Sequence, residues 1–501
     1  MKSSKAVLLV CIAFFCNSAA AASPIDFAPL AKRIEETKRV TGHPSGTAVA
    51  VIKDGEVIYQ GYFGYSDIGK QQPVTADTAF YIASSTKPLF ALNVLLLEAQ
   101  GRLDTTTSLQ SMFPSAAFKG FDANAITVRD LLVHTSGIDN QPLVWATAFS
   151  GIHDADSLEA LVAASYPSAE TAHGQFDYSN VGYNITSIWT TRILGTSWQD
   201  QLRQTVFDPV GMPRSSATMS RAQERQWQVA KPYTIASQTP GQPLYLEKAD
   251  DTMHAAGGVV ATAPDLARFL VAELNGGKVD GEQLLPAAVI ARSQQDQVSL
   301  DEKYQDFQRS GYGWGWYSGQ YKQHRMLHHF GGFAGYHAHL SFMPDAGIAL
   351  VVLNNEDMLA GRLTSVIADY VYGSLLGDPE TEKRVAGRFV ELNAGVAKMQ
   401  AGLAKRQGEI NARPWRLSLP KAAYTGSYHA NLLGDIEVTL DPEGRLLLRW
   451  GRVASMATGF DGPEQVRVEF VPNSGQIVSF KVDDRKVTSL TFGDMRFDRT
   501  P

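Results

Sequence analysis

Ser84 and Lys87 lie three residues apart in the stretch Ser-Ser-Thr-Lys, and together they could perform nucleophilic chemistry. Residues three apart on a helix face the same way, so Lys87 can reach the Ser84 hydroxyl group if the segment is helical. A buried lysine loses part of its proton affinity and can then accept the serine proton. At a helix N-terminus, backbone N–H groups would also favour negative charge that develops beside Ser84. The structural alternatives are a helix-capping serine and a solvated lysine.

A second Ser-x-x-Lys pattern shows that the spacing alone is weak support. Ser418 and Lys421 have the same spacing, but Pro420 lies between them. The first pair is followed by the largely apolar run 88–97, which is typical of a buried helix. We therefore take Ser84 and Lys87 as the candidate catalytic pair.

Tyr178-Ser179-Asn180 is the only Tyr-x-Asn in the chain, and it precedes a helical pattern over 181–194. A tyrosine hydroxyl beside a cationic lysine can pass a proton to a leaving group, and an asparagine amide can both donate and accept hydrogen bonds. Tyr178 could instead be a core aromatic residue, and Asn180 a helix cap.

His329, Phe330, Gly331 and Gly332 form a third candidate element, next to a predicted strand. A glycine pair lets a substrate backbone approach closely. The free N–H group of Gly332 could join that of Ser84 as an oxyanion hole. His329 would offer the substrate a hydrogen-bond donor or a partial positive charge.

A metal site is a competing interpretation of the same region, because five of the eleven histidines lie within it. On a strand, His337 and His339 would share one face, as metal ligands can. No carboxylate is interleaved among the five, and the chain has no His-Glu-x-x-His pattern. We therefore expect no metal and no cofactor, with a metal-dependent hydrolase kept as an alternative. The five are His324, His328, His329, His337 and His339.

The composition fits a globular protein of two or three domains, with 501 residues, 44% hydrophobic and 19% charged. A formal net charge of −6 argues against a nucleic-acid binder that relies on phosphate neutralisation. Residues 1–22 have the basic end, apolar stretch and small-residue end of a signal peptide with cleavage near Ala22, and they contain both cysteines. We expect a periplasmic or secreted protein without stable membrane insertion.

The order of predicted elements favours an α+β fold rather than a parallel βαβ series. A β-hairpin is predicted over 47–63, mostly helices over 84–300, strands at 314–316, 323–328, 336–342 and 348–353, and a helix over 362–376. Strands from both ends of this segment are expected to share one sheet. Residues 377–414 are charged and helix-prone, and 415–501 contain short strands typical of a small barrel.

Taken in order, Ser84-x-x-Lys87, Tyr178-x-Asn180 and His329-x-Gly331 resemble the three motifs of the class C β-lactamase and serine DD-peptidase superfamily. The resemblance covers residues 25 to 375 or so. Three further stretches resemble the same family, at 126–137, 209–212 and 256–266.

The resemblance implies an antiparallel sheet flanked by helices, with a helical subdomain. It also implies that Ser84 attacks a carbonyl group and forms an acyl-enzyme, while Lys87 and Tyr178 share the proton transfers in an order left open. Asn180 would hold the substrate amide, and the N–H groups of Ser84 and Gly332 would bind the oxyanion.

The implied organisation is a signal peptide at 1–22, a β-lactamase-related serine hydrolase domain at 25–376, a helical linker at 377–414 and a C-terminal β-domain at 415–501. The last resembles the lipocalin-like domain that some family members append. It could wall off one side of the cleft or serve only as an assembly surface, and the oligomeric state is open.

One departure from the family pattern bears on the substrate. Phe330 stands where many β-lactamases have threonine, whose hydroxyl can bind a substrate carboxylate. We therefore expect weak or no β-lactamase activity, and a small-molecule or peptide substrate. It would be an amide, as for D-aminopeptidases and DD-peptidases, or an ester, as for carboxylesterases. The alternative is a β-lactam-acylated penicillin-binding or sensor protein with little turnover.

Overall fold

The computed structural model describes residues 25–501 except 238 and 240. The predicted signal peptide, with Cys11 and Cys16, lies outside the described residues. Among the helices described here, none is long and apolar enough to cross a membrane. The α-helices are α1 Ala28–Thr41, α2 Thr86–Ala99, α3 Leu109–Met112, α4 Val128–Leu132, α5 Gln141–Trp145, α6 Ala155–Ala163, α7 Val181–Leu194, α8 Trp198–Leu202, α9 Asp208–Val210, α10 Met219–Glu224, α11 Ala263–Leu274, α12 Ala287–Ser293, α13 Ala360–Leu375 and α14 Thr381–Asn411.

Sixteen strands precede α13 in the described chain, and nine follow α14. The first set is β1 Thr47–Lys53, β2 Glu56–Phe63, β3 Tyr65–Asp67, β4 Gln72–Pro73, β5 Phe80–Tyr81, β6 Ile138–Asp139, β7 Tyr166–Pro167, β8 Val260–Ala261, β9 Lys278–Val279, β10 Glu282–Gln283, β11 Val298–Tyr304, β12 Phe307–Tyr312, β13 Tyr317–Tyr321, β14 His324–Phe333, β15 Tyr336–Met343 and β16 Ile348–Asn354. The second set is β17 Gly426–Ala430, β18 Gly434–Leu440, β19 Leu446–Trp450, β20 Val453–Met456, β21 Thr458–Gly459, β22 Gln465–Val468, β23 Gln476–Asp483, β24 Lys486–Phe492 and β25 Met495–Arg499.

An eight-stranded sheet with the order β11-β12-β13-β14-β15-β16-β1-β2 forms the centre of the molecule. Its neighbouring strands are antiparallel, and β1 from the start of the chain pairs with β16 from the other end of the segment. The predicted α+β fold with strands shared between both ends is therefore confirmed. β15 and β16 are buried along their whole length, because helices cover both faces of the sheet.

The alternation of side chains divides the sheet into two faces with separate apolar clusters. Ala48 and Ala50 belong to the cluster that includes residues of α2 and α11, whereas Val49 and Val51 belong to the cluster that includes residues of α1 and α13. The first face carries the candidate site, because α2 begins there.

The predicted strand over 314–316 is wrong. The segment is a turn in which Gly313 donates its N–H to the carbonyl of Trp316. Gly315 has a φ of 83°, and a β-carbon there would lie 2.6 Å from the backbone of Pro88. The pattern of buried tryptophans is that of a strand, but the close approach to α2 requires the glycine turn.

The C-terminal strands form one nine-stranded antiparallel sheet, ordered β20-β19-β18-β17-β25-β24-β23-β22-β21, that is nearly closed and barrel-like. Before it, α14 is held to α13 by Asp369, whose carboxylate accepts from Arg384 and Arg388 at 2.8–3.2 Å. These two arginines hold the pKa of Asp369 below its usual value, although burial opposes them.

The barrel-like sheet contacts the rest of the molecule through an aromatic cluster around Trp145, at the end of α5. Trp145 stacks on Trp450 at 5.5 Å between ring centroids and meets Phe492 edge-on at 4.7 Å. An ion pair between Arg452 and Asp251 lies beside this cluster. The apolar cores of the two regions are continuous.

We expect Trp145→Ala to lower the free energy of unfolding by about 2 kcal/mol, because a large, partly buried ring loses its aromatic partners. Urea unfolding followed by circular dichroism measures the change. Trp415→Ala is the matched control, since that ring stacks under Lys421 in the C-terminal region. An equal or larger loss in the control would contradict this account of the contact.

Candidate active site

Ser84 lies in a single 3-10 turn, Ala83–Ser85, directly before α2. Ala83 has a φ of 45°, a left-handed conformation that is strained for alanine. The surrounding strands hold this turn in place: β5 pairs with β8, and Ile82 donates its N–H to the carbonyl of Val259. As predicted, the hydroxyl group is therefore presented at the N-terminal end of a helix.

Lys87 is fully buried, and its amine contacts three oxygen atoms. Nζ lies 3.3 Å from Ser84 Oγ, 2.7 Å from Asn180 Oδ1 and 2.9 Å from the carbonyl oxygen of Ala256. Burial lowers the pKa of Lys87 well below its usual value of 10.5. A neutral amine that donates its two protons to Asn180 and Ala256 keeps its lone pair for the Ser84 hydroxyl.

Tyr178 completes this group, with its ring centroid 4.6 Å from Lys87 Nζ. The residue as a whole is 37% exposed, although aromatic neighbours surround its ring. Burial raises the pKa of Tyr178 well above 10, and a hydrogen bond with Ser84 opposes the rise. The phenol therefore carries its proton at neutral pH and is able to donate it.

Gly331 brings β14 against the turn that holds Ser84. A β-carbon on Gly331 would lie 1.9 Å from the carbonyl oxygen of Ile82, so no side chain fits. A β-carbon on Gly332 would meet no atom within 4 Å, and Gly332 is exposed. Pairing of β14 with β13 ends at His328, which leaves the edge beside these glycines open for a substrate backbone.

Comparison with known proteins agrees with this geometry. The family model described as beta-lactamase matches residues 31–364. The chain belongs to the beta-lactamase family. Penicillin-binding protein 4 of Amycolatopsis lactamdurans is 28% identical over 360 residues, which cover 71% of this chain and 91% of the relative.

Two solved structures share the fold of this beta-lactamase family member. The octameric penicillin-binding protein homologue from Pyrococcus abyssi has a TM-score of 0.59 and 22% identity, and the match covers 94% of this chain and all of the other. D-amino acid amidase from Ochrobactrum anthropi SV3 has a TM-score of 0.54 and 20% identity, over 75% of this chain and all of the amidase.

His329 lies on the same face of β14 as Gly331, but its hydrogen bonding differs from the prediction. Nδ1 is 2.8 Å from the carbonyl oxygen of Phe330, which can only accept, so Nδ1 carries the proton. Nε2 is then a buried lone pair without a partner among the described residues. Burial lowers the pKa of His329 well below 6.5. His329 is thus neutral, with a hydrogen-bond acceptor at Nε2 instead of the predicted donor or partial cation.

The Phe330 side chain does not lie beside Ser84, and the expected weak β-lactamase activity stays a prediction. Phe330 lies on the opposite face of the sheet from His329, where its ring contacts Tyr304, Phe307 and His339. Its side chain belongs to the cluster on the α13 face and does not line the side of the sheet that carries Ser84.

The histidine cluster is divided between different environments. His328, His337 and His339 lie on the Phe330 face, whereas His324 pairs with Asp345 at 2.9 Å. Within residues 25–501, apart from 238 and 240, no group of three or more histidine, cysteine or acidic side chains could hold a metal ion. The arrangement of these histidines therefore gives the metal-dependent alternative no support.

His134 is a site residue that the sequence analysis did not single out. Its Nδ1 accepts the N–H of Ser179 at 3.2 Å, so the proton on Nε2 is donated to the Tyr312 hydroxyl at 3.1 Å. Its ring lies 4.6 Å from the Tyr178 ring, and its own backbone has a φ of 64°. His134 thereby fixes the loop that carries Tyr178 and Asn180, and the family-like stretch 126–137 was the available signal.

The lowered pKa of Lys87 predicts the pH dependence of Ser84 reactivity. Below that pKa the amine is protonated and cannot accept the serine proton, so the rate falls as pH decreases through it and is flat above it. The rising limb should lie well below pH 10.5. Fluorophosphonate labelling of Ser84 at a series of pH values measures it, and Lys87→Met should remove the limb together with most of the rate. A limb centred near 10.5 would contradict the buried neutral amine.

Gly331 and Gly332 of β14 allow a matched pair of variants to be compared. Gly331→Ala should reduce the labelling rate roughly 100-fold, because the new methyl group displaces β14 from the Ser84 turn and disturbs the oxyanion donors. Gly332→Ala places its methyl group in open space and should label at nearly the original rate. Circular dichroism checks that both variants fold, and equal rates in the two would refute the proposed contact with Ile82.

Proposed function

We propose that this protein is a serine hydrolase that cleaves an amide or ester through an acyl-enzyme on Ser84. The observation that carries the proposal is the position of Lys87 Nζ, which contacts Ser84 Oγ, Asn180 Oδ1 and the Ala256 carbonyl at once. A buried amine in this position has a lowered pKa and a free lone pair for the serine proton. Membership of the beta-lactamase family supports the same chemistry.

In the proposed first half-reaction, Lys87 takes the proton of Ser84 as Oγ bonds to the substrate carbonyl carbon. The carbonyl oxygen becomes an oxyanion, which the N–H groups of Ser84 and Gly332 stabilise. Collapse of this intermediate breaks the bond to the leaving nitrogen or oxygen. Tyr178 donates its proton to that atom and is reprotonated by Lys87.

In the second half-reaction, water attacks the acyl-enzyme carbonyl carbon. The same basic groups take one proton of the water, the bond to Ser84 Oγ breaks, and Oγ recovers a proton. The products are a carboxylic acid and free enzyme. Asn180 holds the substrate amide during both steps.

The neutral His329 bears on the substrate class. An unprotonated Nε2 favours a substrate group that donates a hydrogen bond and disfavours a carboxylate. An amino-acid amide carries such donors on its amino group, and D-amino acid amidase is among the structures with the same fold. We therefore propose an amino-acid amide or short peptide as the substrate, with a neutral ester as the second choice.

A penicillin-binding protein with slow deacylation is the second candidate function, because penicillin-binding protein 4 of Amycolatopsis lactamdurans is similar over 91% of its length. Both candidates use the same acylated serine and differ only in how fast water releases the acyl group. The predicted signal peptide at 1–22 supports export and remains a prediction.

Fluorophosphonate labelling tests the proposal. The unchanged protein should be labelled, Ser84→Ala should not, and Ser418→Ala should be labelled like the unchanged protein because it alters only the second Ser-x-x-Lys pattern. Labelling that survives in Ser84→Ala would overturn the assignment. D- and L-phenylalanine p-nitroanilides, p-nitrophenyl acetate and a chromogenic cephalosporin then separate the substrate classes. Rapid turnover of the cephalosporin would contradict the choice of an amino-acid amide, and stable acylation without turnover would favour the second candidate.

A further inference from the structure

A cavity of about 330 Å³ lies between α6, α7, α8 and the turn Ala146–Ser150, outside the group formed by Ser84, Lys87 and Tyr178. By surface area its walls are largely apolar and include Ala155, Leu158, Ile188, Trp198 and Met253. Glu159, Arg192 and Asp250 are the charged residues of the lining. A volume in this range accommodates a small organic molecule. Asn184 and His254 also line the cavity.

The hydrogen bonds around His254 fix its protonation state. The Thr147 hydroxyl donates to the Leu143 carbonyl at 2.8 Å, so Thr147 Oγ1 accepts from Asn184 Nδ2 at 3.0 Å. Asn184 therefore presents Oδ1 to His254 Nδ1, 3.2 Å away, and Nδ1 donates to it. Nε2 is then the unprotonated nitrogen; it lies beside Gly257 and has no hydrogen-bond partner in the described part of the chain.

Burial keeps His254 neutral. The residue is 8% exposed, and burial holds its pKa well below 6.5. The charged groups that line the cavity are already paired, Glu159 with Arg192 at 3.2 Å and Asp250 with the N–H groups of Met219 and Ser220, so none is left for a charged ligand. A carboxylate would bring an acceptor against the Nε2 lone pair. The ligand that fits these groups is therefore neutral and carries an O–H or N–H donor.

We propose that this cavity is a binding site for a small neutral apolar molecule, such as an aromatic alcohol, whose hydroxyl group donates a hydrogen bond to His254 Nε2. The apolar walls bury the aromatic ring of the ligand. Asn184 and Thr147, which also line the cavity, are already paired with each other. The site is separate from the Ser84 chemistry, although His254 is only two residues from the carbonyl of Ala256 that accepts from Lys87.

Binding of benzyl alcohol to the Ser84→Ala protein tests the proposal without any turnover, so its result does not depend on the proposed function. Calorimetry should give a 1:1 complex. Ala155→Phe, which fills the cavity from its exposed rim, should weaken binding at least tenfold. Ile193→Phe is the matched control, because Ile193 is on α7 but 43% exposed and outside the cavity lining. The control should bind as before.

Toluene, which lacks the donor, measures the contribution of His254. Benzyl alcohol should bind roughly fivefold more tightly than toluene, and His254→Leu should remove that advantage. Should this variant fail to fold, the ¹⁵N resonance of His254 Nε2 in the Ser84→Ala protein provides the same information, because it should shift on addition of benzyl alcohol but not of toluene. The absence of a 1:1 complex, equal effects of Ala155→Phe and Ile193→Phe, or equal affinity for the two probes would each overturn the proposal.

Discussion

A single buried amine sets the requirements for the surrounding structure. Lys87 is fully buried, so the hydrogen-bond partners of its amine have to be oxygen atoms supplied by the protein. These oxygens come from three distant parts of the chain: the turn before α2, the start of α7 and the loop before β8. The helical subdomain, the sheet and the intervening loop must therefore be assembled before the amine is neutral and correctly directed.

The sheet contributes to the site mainly by packing closely against the turn that holds Ser84. Gly331 has no room for a side chain against Ile82, and Gly315 has none against Pro88, so β14 and the turn before β13 both pack against the start of α2. This packing holds Ala83 in its left-handed conformation. Strain of this kind persists only where the surroundings leave no alternative, which is the case here.

Much of the fold and of the site could be predicted from the sequence, because the relevant rules are local or repeat along the chain. Helix geometry alone explains why a spacing of three residues brings Ser84 and Lys87 together. The two strands predicted within 336–353 are correctly assigned to one sheet. The errors concern tertiary facts. The proton position on His329 depends on the carbonyl of the next residue, and the face that Phe330 occupies depends on the register of β14. The stretch 126–137 was a signal for His134, but its role depends on Ser179 and Tyr312, which lie on distant segments.

The aromatic contact between Trp145 and the barrel-like sheet determines whether the C-terminal part can be separated from the rest of the chain. Because Trp450 and Phe492 complete a core that begins in the helical subdomain, the last 85 residues or so do not form a freely exchangeable module. A chain that ended before β17 would leave an uncovered patch of aromatic rings on its surface, which invites self-association. A shortened chain would therefore need polar substitutions at the rings that the appended part now covers.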